Sequence, residues 1–387
     1  MTTAQHAFLA PSGAERWGPG RCAASASMAA QYPEDEDSGK AREGTAAHWV
    51  LSETLQGRDV AVGSLAPNQH PVDQDMHENA APVIDMALAA CNAAKGPSLW
   101  VEERVTMECV HKDCWGTPDI YLLNTRDHVL DVWDYKYGHR YVDTFQNYQL
   151  MLYAMGILEC NGVSVPDWRG WRITLHIAQP RSFHPEGPYR SWYLSGEALA
   201  DWVPSFKQAA TAATQPGAAF TTGDHCRNCP GLLHCDAALR SGMSAIDVSL
   251  LARPLELSPL GLGVLLSLLK DAEKRIKMLA DAAEESVLGL LRSGSDVPLW
   301  KADYSAGRER WTQEPGEVFA LGDMWGVNLR KPPEPITPAQ ARKLGVDKDV
   351  IAAFSDKPRG SLALVQVTER YVTKAFAAAL NHEGTTP

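Results

Sequence analysis

Between Trp115 and Gly156 this 387-residue chain puts charge where folding alone would not want it. Asp119, Asp134, Lys136, Gln149 and Tyr153 each stand among apolar residues. A carboxylate or an ammonium in such company is costly unless it is paired or bound to a metal. Side chains two apart on a strand share a face, so Asp134 and Lys136 point one way and Trp133 and Tyr135 the other. Asp119 closes Gly116-Thr117-Pro118-Asp119, a turn that leads into the preceding strand. If those two strands are antiparallel neighbours, the two aspartates come close enough to share one divalent cation. Two hard oxygen ligands suit Mg²⁺, with water and a substrate phosphate in the remaining positions. An ion held this way activates water and polarises phosphorus, and the lysine holds that water or offsets developing charge. The plain alternative is a strand-end salt bridge between Asp134 and Lys136, with Asp119 as a turn former.

Gln149 and Tyr153 are four apart on a predicted helix and therefore share a face, from which both can hydrogen-bond. Read by itself, that is a helix side with one solvated polar residue and one half-buried ring. His48 lies near the apolar stripe of an earlier predicted helix; it is either a ligand or a satisfied core histidine. Of eight cysteines, Cys226, Cys229 and Cys235 form C-x2-C-x5-C. Thiolates at this spacing take Zn²⁺ or an iron–sulfur cluster, and three are one short of a full set. Cys22, far upstream, is the best candidate for the fourth; unliganded thiols are the remaining reading. Cys91, Cys109, Cys114 and Cys160 read as small core or surface residues.

Periodicity supplies the elements that must position these groups. Helices are predicted over 43–57 and 81–95, and strands over 99–109, 117–123 and 128–136, with a turn at 124–127. A helix over 142–158, a strand over 171–178 and a helix over 195–213 follow. Residues 1–40 read as irregular with at most a short helix. Beyond the cysteine group lie a long amphipathic helix (258–293), a hairpin (297–312), a Pro-rich connector (331–335), short helices (338–344 and 347–354) and a frayed tail (382–387). The order is that of a mixed α/β domain with a mainly helical C-terminal extension.

Hydrophobic content of 45% permits a packed core. A net charge of −11 argues against a broad basic surface for nucleic acid, though not against a local groove beside an acidic metal site. No signal pattern and no apolar run of membrane-spanning length are present, so a soluble, cytoplasmic chain is expected. No Walker-type Gly-x-x-x-x-Gly-Lys-Ser/Thr occurs, so no nucleotide cofactor or ATP motor is expected.

Taken in order, Gly44-x-x-x-His48, Gly116-x-x-Asp119, Asp134-x-Lys136 and Gln149-x-x-x-Tyr153 resemble the motifs of the RecB-type branch of the PD-(D/E)XK nucleases. The resemblance covers roughly residues 8–240. It implies a restriction-endonuclease-like core, a central mixed sheet flanked by helices, in a domain over 1–240, with 241–387 as the extension. It implies that His48, Asp119, Asp134 and the Tyr135 carbonyl bind Mg²⁺ or Mn²⁺, that Lys136 is catalytic, and that Gln149 and Tyr153 order the site or contact DNA. Glu102 or Glu103 could add a carboxylate, against the plainer reading of a solvated strand edge. One cysteine before the core and three after it, as with Cys22 and Cys226/Cys229/Cys235, is the layout of the iron–sulfur subgroup that includes the AddB-like and CRISPR adaptation nucleases. That layout implies a structural [4Fe–4S] cluster, with zinc as the alternative. Pro11-to-Ser25, Gln179-Pro180-Arg181 and the extension resemble a phage-encoded family of unknown function associated with replication and recombination. The implied activity is a metal-dependent DNA exonuclease working in the host cytoplasm, with a single-strand-binding or annealing protein as partner. The alternatives are a structure-specific endonuclease, or a non-catalytic DNA-binding scaffold that keeps the fold. The cations Lys270, Lys274, Arg275 and Lys277 of the long helix, and Lys301, Arg308 and Arg310, either grip DNA or are solvated.

Overall fold

The computed structural model describes residues 7–33, 39–93, 98–242 and 259–302, together with residues 316, 320 and 324. In chain order the elements are α1 (Ala14–Trp17), α2 (Ser25–Gln31), α3 (Gly39–Leu55), α4 (Gln74–Ala93), β1 (Ser98–Val101), β2 (Val105–Thr106), β3 (Trp115–Gly116), β4 (Ile120–Asn124), β5 (Val129–Tyr135), α5 (Tyr148–Cys160), β6 (Arg172–Ala178), β7 (Tyr189–Ser195), α6 (Gly196–Thr214) and the long helix Pro259–Arg292. Five strands make one mixed sheet in the order β1-β4-β5-β6-β7, and β2 and β3 form a separate two-stranded ribbon. Neighbours in the large sheet run antiparallel except β5 and β6, which run parallel and are joined through α5.

Alternation along the strands decides which helices cover which face. Tyr121 and Leu123 of β4 and Leu130 and Val132 of β5 join a core with α5 and α6. Ile120, Leu122, Trp133 and Tyr135 turn to the other side and pack against Ala46, Ala47, Val50 and Leu51 of α3 and Met76 and Val83 of α4. The sheet is therefore the middle of three layers. α5 is apolar on nearly all sides, with every residue from Leu150 to Leu158 buried. Each buried leucine, isoleucine or methionine there contributes roughly 1.5–3 kcal/mol. Among the described residues no helix is long and apolar enough to cross a membrane.

The expected order of elements holds, with corrections at their ends. The strand predicted over 99–109 breaks after Val101, because Glu102 adopts φ 53°, a left-handed conformation that an L-residue rarely takes. What resumes at Val105 pairs with Trp115–Gly116 in the ribbon instead. α5 begins at Tyr148 and not near 142, since the Asn147 side chain caps it by accepting from Leu150 N at 3.1 Å. α4 begins at Gln74 and not near 81: Asp73 accepts from Met76 N at 2.9 Å, and Pro82 is accommodated inside the helix. β7 was not predicted, and the N-terminal segment holds two short helices rather than at most one.

The chain divides into two units, Met1–Ser305 and Ala306–Pro387. The long helix falls in the first unit, as predicted over 258–293 but running Pro259–Arg292. Most of the hairpin expected over 297–312, the connector, the two short helices and the tail lie outside the described residues.

Candidate metal centre and thiol cavity

The antiparallel register of β4 and β5 sets Ile120 opposite Trp133. One step further, at the strand ends, Asp119 faces Asp134. Asp119 Oδ2 accepts from Tyr135 N at 2.6 Å, which fixes the carboxylate against the neighbouring strand. Lys136 stays on the ladder through its N–H to Ala178 O at 2.8 Å, so its side chain leaves the sheet on the same face as Asp134. That face belongs to α5. Gln149, in the first turn of α5, donates from Nε2 to Asp134 Oδ1 at 2.9 Å and accepts from Lys136 Nζ at 3.1 Å. A single amide thus holds both charged groups. The same Nε2 lies 3.4 Å from the Tyr153 hydroxyl, one turn on. Lys136 Nζ is also 2.9 Å from Asp134 Oδ2, a charge contact without hydrogen-bond alignment, so this buried oxygen has no aligned donor. Gly116 closes the base of the site: a Cβ there would stand 2.9 Å from Pro11 Cδ and 3.0 Å from Tyr153 Cε1.

α3 brings His48 to the other side of Asp119, with Nδ1 3.1 Å from Oδ1. The imidazole packs edge-on to the Tyr135 ring at 5.3 Å. His48, Glu102 and Asp119 each offer a ligand atom within 4.8 Å of the other two, a set that could hold a metal ion. About 31% of the His48 side chain and 12% of Asp119's are open to solvent, enough for a cation to reach them. Glu102 is the member that the sequence undervalued. The left-handed turn that ends β1, with Glu102 N donating to Asp119 O at 3.0 Å, swings its carboxylate inward from the strand edge.

Three carboxylates gather here around one ammonium and one imidazole, and burial together with these neighbours sets how each group ionises. Burial raises the Asp134 pKa, and Asp119 adds to the rise, against the pull of Lys136. Crowding by protein around Glu102, whose tip keeps an open side, together with Asp119, raises its carboxyl to about 7. Burial opposes charge on Lys136, but Asp134 and Asp119 outweigh it and its pKa lies above the ordinary value. His48 behaves likewise: burial disfavours its protonated form, and Asp119 more than offsets this. Asp119 is the most satisfied acid. Burial works against its charge, but His48, Lys136 and the Tyr135 N–H hold its pKa down. A divalent cation bound here would relieve what remains.

The second cluster is built differently. Cys22, Cys226, Cys229 and Cys235 line one cavity of about 20 Å³, with Ser25 and Met28 of α2 among its other walls. The N-terminal segment reaches it through Ala24 N to Ala219 O at 3.1 Å and Thr221 N to Cys22 Sγ at 3.4 Å. The cysteine-bearing loop is wound in tight turns, Cys226 N to Gly223 O at 3.0 Å, Cys229 N to Cys226 O at 2.9 Å and Cys235 N to Leu232 O at 3.2 Å. Met278 and Leu279 of the long helix pack against Cys226, Leu232 and Ala238. Burial raises the pKa of the Cys226 and Cys229 thiols, and Ser25 Oγ is buried without a partner beside them. Cys109 and Cys114 are buried elsewhere, where burial and Glu159 raise both thiols. On the long helix, Lys270 pairs with Glu273 and Lys274 with Asp271, so these cations are partly engaged along their own helix.

The structure thus gathers His48, Asp119, Asp134, Tyr135, Lys136, Gln149 and Tyr153 at one set of strand ends, and the four cysteines around one cavity. A family model spans nearly all of this architecture, from residue 6 to residue 370, and the chain belongs to that family, described as a protein of unknown function (DUF2800).

Proposed function

We propose that this chain is a divalent-cation-dependent deoxyribonuclease of the RecB-type PD-(D/E)XK kind, acting as an exonuclease on DNA ends. The observation that carries the reading is the meeting of His48, Glu102, Asp119, Asp134 and Lys136 at adjoining strand ends with more carboxylates than cations. The antiparallel trio β1-β4-β5, followed by α5 and a parallel β6, is consistent with that core. A mixed set of carboxylates and one imidazole admits Mn²⁺ as well as Mg²⁺. Such an ion, when bound, would supply Lewis acidity and lower the pKa of water. The chain supplies the rest. His48, as the neutral imidazole, Glu102 and Asp119 would hold the ion, with Asp134 on the neighbouring strand as the further carboxylate that the resemblance implies. Lys136, kept protonated by its carboxylate neighbours, presents an ammonium to the charge that builds on a phosphoryl oxygen. Gln149 holds Asp134 and Lys136 in register with each other.

Gly44 supports the same reading. It sits one turn before His48 inside α3, where a glycine costs roughly 0.5–1 kcal/mol relative to alanine. A Cβ at Gly44 would meet nothing within 4 Å, so packing within the chain gives no reason for the glycine. An approaching nucleic-acid backbone does.

Four thiols around one cavity are the donor set a soft metal group takes, and we read that group as a [4Fe–4S] cluster joining the N-terminal segment to the cysteine loop, with zinc as the alternative. Anaerobically purified protein should be brown and carry stoichiometric iron; zinc without iron would reverse the assignment.

The test of the activity is digestion of linear against closed-circular duplex with Mg²⁺ or Mn²⁺. An exonuclease degrades only the linear form. Nicking of the circle makes the protein an endonuclease, and an inert protein that still binds DNA makes it a scaffold.

A further inference from the structure

Gln179, in the tripeptide Gln179-Pro180-Arg181, has no place in the cation site, yet it is fully buried and spends its amide on one loop. Its Nε2 donates to Gly138 O at 2.9 Å and to Arg140 O, and its Oε1 accepts from Val142 N at 3.1 Å. Arg190, only 4% exposed, reinforces it from β7, with Nη2 donating to Val142 O at 2.8 Å and to Gln179 Oε1 at 3.0 Å. Burying a guanidinium and an amide is costly unless their polar atoms are engaged; here the amide and Arg190 Nη2 are spent on residues 138–142 and on each other, Nη1 donates to Gly187 O at 2.9 Å, and Nε alone lacks a partner. This loop runs from Lys136 to Gln149, the two residues that grip Asp134. It is braced from beneath like part of a site, not left to move like a connector.

What the brace holds up is an alternation of cations and rings. Arg140 is exposed and bonds Asn228 Oδ1. Tyr141 stacks on His184 at 4.6 Å, and Phe145 is 60% exposed, touching Trp192 only edge-on at 5.3 Å. Asp143, the nearest acid in the loop, is turned onto Phe145 N at 3.0 Å. Past Asn228 the positive charge continues: Arg140 and Arg227 stand close enough to repel. Arg227 then lines a cavity of about 220 Å³ with Lys274 and Arg275, and with Asp224 and Asp271 on its walls. In a chain of net charge −11, Arg140, Arg227 and Arg275 gather here against Asp143, Asp224 and the paired Asp271.

We infer that the 138–146 loop and the Arg227 side of the cysteine loop form a binding strip for single-stranded nucleic acid. Phe145 is its stacking platform, and Arg140 and Arg227 hold its phosphates. Open rings beside cations are what unpaired bases and their backbone require, whereas a duplex keeps its base faces covered. The inference rests on the nuclease reading for its place beside the cutting site, and it adds which form of the polymer lies there.

Fluorescence anisotropy of a labelled oligothymidylate, titrated with the full chain in EDTA so that nothing is cut, tests it. Phe145→Ala should weaken binding roughly 5- to 100-fold. Arg140→Ala and Arg227→Ala should each lower the slope of log K against log salt by about 0.7. Circular dichroism melts check that these surface variants keep the wild-type fold. The inference is overturned if the wild type does not bind the oligomer, if all three variants bind as the wild type does, or if blunt duplex competes equally. Metal-dependent cutting by the wild type would survive any of those results. Conversely, tight single-strand binding without cutting of any DNA would sink the nuclease reading and leave the strip in place.

Discussion

The cation site and the thiol cavity answer the same problem, how to gather polar ligands inside a protein, in opposite ways. At the strand ends the ligands are hard oxygens and one imidazole, partly open to solvent, with charge left unbalanced. In the cavity the ligands are soft, neutral as thiols, and walled by groups such as Met28 and Leu232. An unbalanced charged site is tolerated only where its imbalance is used. A thiol site costs little when empty and gains when a soft metal group crosslinks it. On the reading proposed above, the first is the reaction centre and the second a staple. Mutations should therefore separate activity from stability along this division.

The largest effect should come from Asp134→Asn. The amide keeps the shape and can still accept from Gln149, but it removes the charge that the cation and Lys136 both need. Cutting should fall on the order of 10⁴-fold, as when one member of a catalytic unit is lost. The melting temperature of metal-free protein should shift by only a few degrees, because the amide spares burying a carboxylate while Lys136 keeps Asp119 as a counter-charge. A variant that cuts normally would remove the site; one that unfolds would make Asp134 a structural residue and erase the contrast with the cavity.

Cys22→Ala should do the reverse. Cys22 is buried, and alanine in its place leaves only a small void. A crosslink from Cys22 to Cys226 closes a loop of roughly 200 residues, and losing it costs about 5 kcal/mol by chain entropy. Iron content and melting temperature should drop together, while the cutting rate per folded molecule stays within a few-fold of the wild type. Loss of cutting with the fold retained would mean that the cluster belongs to the chemistry.

Glu102→Gln should act in between. Loss of one ligand should weaken Mn²⁺ binding by about 10- to 100-fold, measured by calorimetry. The pH dependence sharpens the point. Glu102 titrates near about 7, above its ordinary value of 4.5. In metal-free protein its contribution to stability is complete below 4.5 and is lost as pH rises through about 7, because the folded form holds the proton more tightly. Cation binding has the opposite sign and strengthens as that proton leaves. Wild-type Mn²⁺ affinity should fall as pH drops below about 7, and the glutamine variant should show a shallower slope, keeping only the share that comes from His48 and Asp134.

The two sites were also legible to different degrees. The thiol set could be read because C-x2-C-x5-C is a local spacing and only the partner Cys22 is remote. Asp134 and Lys136 could be read because a period of two puts them on one face whatever the rest of the sheet does. Glu102 could not, since its inward turn depends on a left-handed backbone that no pattern of side chains announces, and alternation carries the strand straight through it. β7 was missed for a related reason. Its sequence, YRSWYLS, alternates weakly because it is an edge strand, and its buried member Arg190 is an arginine held by Gln179. In both cases the information lies in a backbone twist or a distant partner, not in the local string.

The smallest effect asked of the comparison concerns Gly44, which no cavity wall and no hydrogen bond requires. If the acid site is organised around an incoming strand, the chain gives up helix stability at Gly44 to keep the surface beside His48 low. Gly44→Ala should then stabilise the protein by about 0.5–1 kcal/mol, since the added Cβ meets nothing within 4 Å and α3 gains propensity. The same methyl group should raise KM for DNA while leaving Mn²⁺ affinity unchanged, and Gly44→Leu should raise it further. A stabilised variant with unaltered KM would show that the opening above α3 is not part of the path. A destabilised one would show that the helix turn beside His48 is constrained in a way its empty surroundings do not reveal.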